Sequence, residues 1–221
     1  MKVITIDGPG GAGKGTLSSL LAQHLNWMLL DSGALYRLCA LAVKQHSIDP
    51  KNEQAVATIA EHLDVRFVNE DSKLTILLEG QDVTNEIRTE QVAKLASQIA
   101  PFKSVRQSLL NRQRAFAQHQ CLVADGRDMG TVVFPNAPVK FFLTASANVR
   151  AQRRVTQLQQ LGKNTDFDAI LKDIQDRDDR DMNREEAPLK PAHDAILIDS
   201  SDMDIKEVFE FMKNQVDKIG L

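Results

Sequence analysis

The chain has 221 residues, 43% apolar and 26% charged, with a formal net charge of −3. That length holds one well-buried core with room for a small inserted subdomain, and so slight a charge excludes any general attraction to nucleic acid or to an anionic membrane surface. No stretch approaches the roughly 20 apolar residues that a bilayer span needs. Two isolated cysteines, Cys39 and Cys121, both within apolar runs, make no disulfide framework. The expectation is a cytoplasmic monomer whose thiols pack as small hydrophobes, without nucleic-acid or membrane partners. Any phosphate binding has to come from local clusters of Lys and Arg.

Taken in chain order, short apolar runs alternate with longer helical patterns. A strand is predicted over Val3–Asp7, then a helix over Lys14–His24, a strand over Trp27–Asp31 and a helix over Ala34–Gln45. After residue 104 the pattern resumes: helix Val105–Gln118, strand Cys121–Asp125, strand Val139–Leu143, helices Asn148–Leu161 and Asp166–Asn183, strand Ala195–Asp199 and helix Ile205–Ile219, the last with Asp202 as its N-cap. This alternation predicts an α/β fold, a parallel five-stranded sheet flanked by helices. One region breaks the rhythm. Val65-Arg66-Phe67-Val68, Lys73 to Leu78 and Gln81-Asp82-Val83, separated by Asn69-Glu70-Asp71-Ser72 and Glu79-Gly80, read as a small antiparallel meander. It stands where a crossover helix alone would suffice. The expected organisation is therefore a core of residues 1–58 and 99–221 carrying an inserted subdomain at 59–98.

The first strand runs into Gly8-Pro9-Gly10-Gly11-Ala12-Gly13-Lys14-Gly15-Thr16, which satisfies G-x-x-x-x-G-K. Glycines let backbone N–H groups turn inward around a phosphate, the next helix presents its positive N-terminus to the same anion, and Lys14 adds a mobile charge. Gly8-x-Gly10-x-x-Gly13 also fits the dinucleotide fingerprint, with Asp31 about where a ribose-binding acid would stand. A dinucleotide site has no need of Lys14, however, and Gly15 is a poor choice in its first helical turn. A triphosphate cradle is the better reading.

Three further segments carry charge or aromatic character at strand or helix ends. Asp31-Ser32-Gly33-Ala34-Leu35-Tyr36-Arg37 holds the chain's only tyrosine, a stacking face for a base unless it is a half-buried core ring, beside an arginine able to fork onto a phosphate. Asp125-Gly126-Arg127-Asp128 follows a buried strand, with Asp125 in a Walker-B-like position; Arg127 and Asp128 either face a ligand or merely pair in a turn. Arg177, Asp181 and Arg184 recur at i, i+4, i+7, on one helix face, which could equally be a solvated ion-paired surface. Upstream, Arg150, Arg153 and Arg154 lead to Gly162-Lys163-Asn164, a short lid placed at about 150–164. Several arginines without a general base suit transfer between phosphates, because an anionic acceptor needs neutralisation rather than deprotonation. The five histidines (His24, His46, His62, His119, His193) show no metal-ligand spacing.

Gly-Pro-Gly-Gly-Ala-Gly-Lys-Gly-Thr, Asp-Ser-Gly-Ala-Leu-Tyr-Arg, Asp-Gly-Arg-Asp-Met-Gly-Thr-Val-Val-Phe-Pro and Arg-Asp-Asp-Arg-Asp-x-Asn-Arg together resemble the bacterial cytidylate kinases, nucleoside monophosphate kinases of the P-loop class. The likeness spans nearly the whole chain, and the meander resembles that family's enlarged monophosphate-binding domain. The resemblance implies transfer of the γ-phosphoryl of ATP to CMP or dCMP, with Mg²⁺ held mainly through phosphates and water and no metal site of the protein's own. It implies that Gly8–Thr16 cradle ATP with Lys14 on the transferring group, and that Arg153 and its neighbours close over the phosphates. It further implies that Ser32 and Tyr36 contact the acceptor nucleotide while Arg37, Arg127 and Arg184 hold its phosphate. Ser97, Arg106 and Asp128 would read the cytosine edge, and Arg177 and Asp181 the pentose hydroxyls. Residue chemistry alone leaves cytosine and uracil unseparated, since Arg and Asp serve either base.

Overall fold

The computed structural model describes residues 2–70, 73–118 and 120–220; Asp71 and Ser72 of the predicted polar link, and His119, lie outside the described residues. The chain divides into two compact units, Met1–Asp31 with Phe116–Leu221, and Ser32–Ala115.

In the first unit, β1 (Val3–Asp7) is buried at every position. It pairs in parallel with β6 (Leu122–Gly126) on one side and β7 (Val139–Thr144) on the other. With β2 (Met28–Asp31) and β8 (Ile196–Asp199) the sheet order is β2-β6-β1-β7-β8, all parallel. Strands covered on both faces read as largely apolar, β-branched runs, which is why Val3-Ile4-Thr5-Ile6 was legible, with Asp7 marking its end. Trp27 falls outside β2 for a local reason. Asn26 turns left-handed (φ 53°) to close helix α1 (Lys14–Leu25), and the Trp27 N–H goes back to the Ala22 carbonyl at 2.9 Å. It is spent on the helix cap and not on the sheet.

Helices α6 (Ala147–Gln160), α7 (Phe167–Asn183) and α8 (Ile205–Ile219) complete this unit. Its core joins Ile4, Ile6, Val123, Phe141, Leu143 and Ile198 of the sheet to Leu17 and Leu21 of α1 and Val208, Met212 and Val216 of α8. Each such fully buried side chain contributes about 1.5–3 kcal/mol over leaving it exposed. The N-cap of α8 is Asp204, not Asp202 as the sequence suggested. Asp204 accepts the Glu207 N–H at 2.8 Å and the Glu207 carboxylate accepts the Asp204 N–H at 2.8 Å, a reciprocal capping box two residues nearer the helix.

The second unit opens with α2 (Ser32–Gln45), which begins directly where β2 ends, two residues before the predicted start. The meander is present as an antiparallel sheet of β3 (Val65–Glu70), β4 (Lys73–Leu78) and β5 (Gln81–Asp82). Two short helices were not anticipated: α3 (Glu53–Glu61), capped by Asn52, and α4 (Glu90–Ile99), capped by Thr89. α5 (Lys103–Phe116) ends the unit. Buried Leu35, Leu38, Leu41, Val56, Val92, Ile99, Val105 and Leu109 give it apolar content of its own. Cys39 is fully buried here, as expected, whereas Cys121 in the first unit, which precedes β6, is only partly buried. Among the described residues no helix is long and apolar enough to cross a membrane.

Candidate active site

Between β1 and α1 the chain makes the turn that the glycines foretold. Gly8, Gly11 and Gly13 all have positive φ, and at Gly8 no other residue fits. A Cβ on Gly8 (φ 147°) would lie 1.9 Å from the Leu143 carbonyl oxygen, so the loop starts in backbone contact with β7. Gly13 (φ 94°) is the left-handed N-cap of α1 and contributes no side-chain cap, leaving the first helical N–H groups to an outside anion. Lys14 is 6% exposed; its Nζ donates to the Pro9 carbonyl at 3.0 Å and stands 3.9 Å from Asp125 Oδ1. Burial, with Arg127 and Arg177 adding repulsion against the pull of Asp125 and Asp7, brings the Lys14 ammonium down to about 8.

Guanidinium groups gather around Gly10. The position a Gly10 Cβ would take lies 3.3 Å from Arg127 Nη2 and 3.6 Å from Arg177 Nη1. Arg150 donates to the Gly10 carbonyl (3.1 Å) and the Ala145 carbonyl (2.8 Å), and forms a two-pronged ion pair with Asp178 of α7. Arg127 donates from Nε to Asp181 Oδ2 at 2.9 Å. Burial pushes the Asp181 carboxyl up, but Arg127 first, then Arg177 and Arg184, more than offset this and hold it below the ordinary range. Arg184 leaves the helix: it is the C-cap of α7, with extended backbone, and its Nε donates to the Ala187 carbonyl at 2.7 Å. Arg153 donates to the backbone oxygen (2.6 Å) and hydroxyl (3.3 Å) of Ser200, just past β8, where the Ser200 hydroxyl also lies 3.5 Å from the Ala12 carbonyl of the cradle. Asp128 is 3% exposed.

The remaining sequence-predicted residues belong to the second unit. Tyr36 is buried, and Arg106 stacks its guanidinium carbon 5.7 Å from the Tyr36 ring centre while Nη1 donates to the Ala100 carbonyl at 3.1 Å. Tyr36 is thus the fifth residue of α2, not the third as a start at Ala34 predicts, with its ring under an arginine. Ser32 is buried at the first position of α2, and Arg37 is partly exposed. The Ser97 hydroxyl oxygen is shielded from solvent with no hydrogen-bond partner among the described residues, a donor and acceptor suited to a ligand's polar edge.

Sequence reasoning missed Asp7, Asp178 and Ser200. Asp7 ends β1 and its two carboxylate oxygens accept the N–H groups of Met129 and Gly130, each at 2.8 Å. The one available signal was its place as the acid closing a buried strand next to the glycine loop. Asp178 was visible only as one of many acids in the charged run of α7, and Ser200 not at all.

A glycine cradle opening α1, a buried lysine within it and arginines packed against its second glycine define a P-loop kinase. A family model described as cytidylate kinase matches residues 4–218. The chain belongs to that family, the cytidylate kinases. It is 58% identical over 208 residues to the cytidylate kinases of Yersinia pestis (strain Pestoides F) and Yersinia pseudotuberculosis serotype O:1b, covering 94% of this chain and 90% of each relative. A crystal structure of an uncharacterized protein from Eubacterium ventriosum matches 98% of this chain and 99% of its own with a TM-score of 0.55 at 14% identity, a likeness of fold.

Proposed function

We propose that this chain transfers the γ-phosphoryl of ATP to CMP or dCMP, giving ADP and the cytidine diphosphate. Family membership supports the reaction, and the observation that carries its chemistry is the clustering of Lys14, Arg127 and Arg177 about the cradle. The attacking atom is an acceptor phosphate oxygen that is already anionic. What opposes reaction is the approach of two negative groups, and buried cations remove that barrier without a general base.

In this reading Gly8–Thr16 hold the triphosphate through backbone N–H groups, and Lys14 exchanges the Pro9 carbonyl for a phosphate oxygen. Arg37, Arg127 and Arg184 take the acceptor's phosphate, each charge-assisted contact adding about 1.5–3 kcal/mol. Arg177 and Asp181 take the pentose hydroxyls. Ser97, Arg106 and Asp128 read the cytosine edge, with Ser32 and Tyr36 against the acceptor nucleotide. Residues 59–98 serve as the monophosphate-binding insert, and about 150–164, with Arg153, as the lid that excludes water. Asp125, beside Lys14, and the Thr16 hydroxyl in the first turn of α1 are hard oxygen donors, a set that fits Mg²⁺ carried on the phosphates. When bound, that ion neutralises part of the β- and γ-phosphate charge.

The test is a coupled assay of ADP release with ATP and, in turn, CMP, dCMP, UMP and AMP. CMP and dCMP should be turned over with the highest kcat/KM. Faster turnover of UMP or AMP, or no ADP with any acceptor, would overturn the proposal.

A further inference from the structure

Asp7 is 4% exposed and has no place in the roles above. It is the last residue of β1, immediately before Gly8, and so sits at the root of the cradle. Its hydrogen bonds run to a distant segment. Both oxygens accept backbone N–H groups from Met129 and Gly130, at 2.8 Å each, 122 and 123 residues further along the chain. Those two residues open a tight turn, Met129–Val133, which directly follows Arg127 and Asp128.

The turn is pressed onto this anchor. A Cβ on Gly130 would lie 2.9 Å from Thr5 Oγ1, 3.1 Å from Lys140 Cδ and 3.3 Å from Asp7 Oδ2. At its other end the Val132 and Val133 N–H groups both return to the Asp128 carbonyl, at 2.9 and 3.1 Å. The backbone of Asp128 is thereby held from two sides, by its own turn and by Asp7. The charged groups that act on Asp7 include Asp128, which repels it, and Lys14 and Arg127, which attract it.

We infer that Asp7 is a positioning residue for the transfer: one carboxylate, fixed at the base of the donor cradle, sets the place of the loop that presents Arg127 and Asp128. This rests on the function proposed above and adds to it how the acceptor's phosphate grip is registered against the donor's. The loop's geometry is set by a side chain whose two oxygens are both taken up by backbone N–H groups of that loop. Sub-ångström misplacement of a phosphate grip is costly because reacting oxygens have to be aligned and close.

The experiment compares the parent with Asp7→Asn and Gly130→Ala. The first leaves one acceptor oxygen and turns an NH₂ group against the other backbone N–H; the second pushes the turn off its seat without changing charge. Each variant is assayed for kcat and KM with CMP, and for ATP affinity by equilibrium binding. In Asp7→Asn, kcat/KM for CMP is expected to fall about tenfold or more, with the ATP dissociation constant within about twofold of the parent. Gly130→Ala is expected to fall in the same direction with ATP affinity again kept. Parent-like kcat/KM for CMP in Asp7→Asn, or equal losses for CMP and ATP, would overturn the inference. Should Asp7→Asn fail to fold, Gly130→Ala decides on the same two quantities. The parent's own turnover judges the proposed reaction separately, and the ratio of variant to parent is read with whichever monophosphate the parent accepts.

Discussion

Arg127 gives its Nε proton to Asp181 Oδ2 at 2.9 Å, so the loop after β6 and helix α7 are joined by one charge-assisted bond. Both side chains are largely buried, at 19% and 11% exposure. A phosphate-binding arginine and a sugar-binding aspartate, in the roles proposed for them, are therefore a pair, and neither can be altered alone without leaving the other's charge poorly matched.

Asp181→Ala should for that reason lower stability as well as activity. A buried guanidinium loses its main partner, at a cost of about 3 kcal/mol, visible as a lower Tm. Asp181→Asn keeps a bond acceptor and should cost less. In both variants KM for CMP should rise more than KM for ATP; equal rises would place Asp181 outside the acceptor site. Because the Asp181 carboxyl is held below its ordinary range, the parent's advantage over Asp181→Asn is present above that range. It should vanish as pH falls through the depressed value.

Lys14→Met should remove nearly all transfer while leaving the circular dichroism spectrum close to the parent's, because the side chain's hydrogen bond is to the loop itself and its ion pair with Asp125 is long, at 3.9 Å. Normal turnover in this variant would contradict the assignment. With Lys14 brought down to about 8 in the free protein, kcat/KM for ATP should decline as pH rises through about 8. The kcat profile should decline only at higher pH, since bound phosphates favour the ammonium form. Coincident profiles would count against this.

Gly8→Ala should unfold or severely destabilise the chain. The added methyl meets the Leu143 carbonyl at 1.9 Å and the backbone is at φ 147°, so β1 and β7 have to separate at their ligand ends. A loss of about 3 kcal/mol or more is expected in urea unfolding. Parental stability in the Gly8→Ala variant would show that the loop does not start in this contact.

Asp7 supplies a pH dependence of stability. Burial pushes its carboxyl up to about 7, against the Gly130 and Met129 N–H groups and Lys14, whereas the unfolded chain titrates near 3.9. Between about pH 4 and pH 7 the folded chain holds the extra proton, so stability falls as pH rises across that window, by up to about 1.4 kcal/mol per pH unit. Asp7→Asn has no such proton. The stability difference, parent minus Asp7→Asn, should shrink from pH 4 to pH 7; parallel curves would exclude a raised Asp7.

Where the sequence was legible, the information was local. Val3–Asp7 is a central strand written as a β-branched run, Val3-Ile4-Thr5-Ile6, closed by Asp7, and Ile205–Ile219 is an amphipathic helix whose buried Val208, Met212 and Val216 repeat every four residues. The cradle was legible because its glycines are closely spaced along the chain. Helices α3 and α4 were missed because each is under three turns long and announced mainly by a cap, Asn52 or Thr89. The site's internal bracing was hidden for a different reason. Asp7 reaches residues 122 and 123 positions away, and Arg150 reaches Asp178 across 28. No periodicity in the chain encodes such pairings; only the order of the strands brings them together.

The strut formed by Arg150 has a mechanical consequence. Its guanidinium is committed to three separate places, the second glycine of the cradle, the end of β7 and a carboxylate on α7, and so it acts as a rivet through the base of the α6–α7 hairpin. Any bending of that hairpin would have to begin beyond the rivet, leaving its foot fixed to the glycine loop. If residues 150–164 close as the lid proposed above, the swinging part would be shorter than the helix that carries it, and the arginines of α7 would stay registered to the cradle.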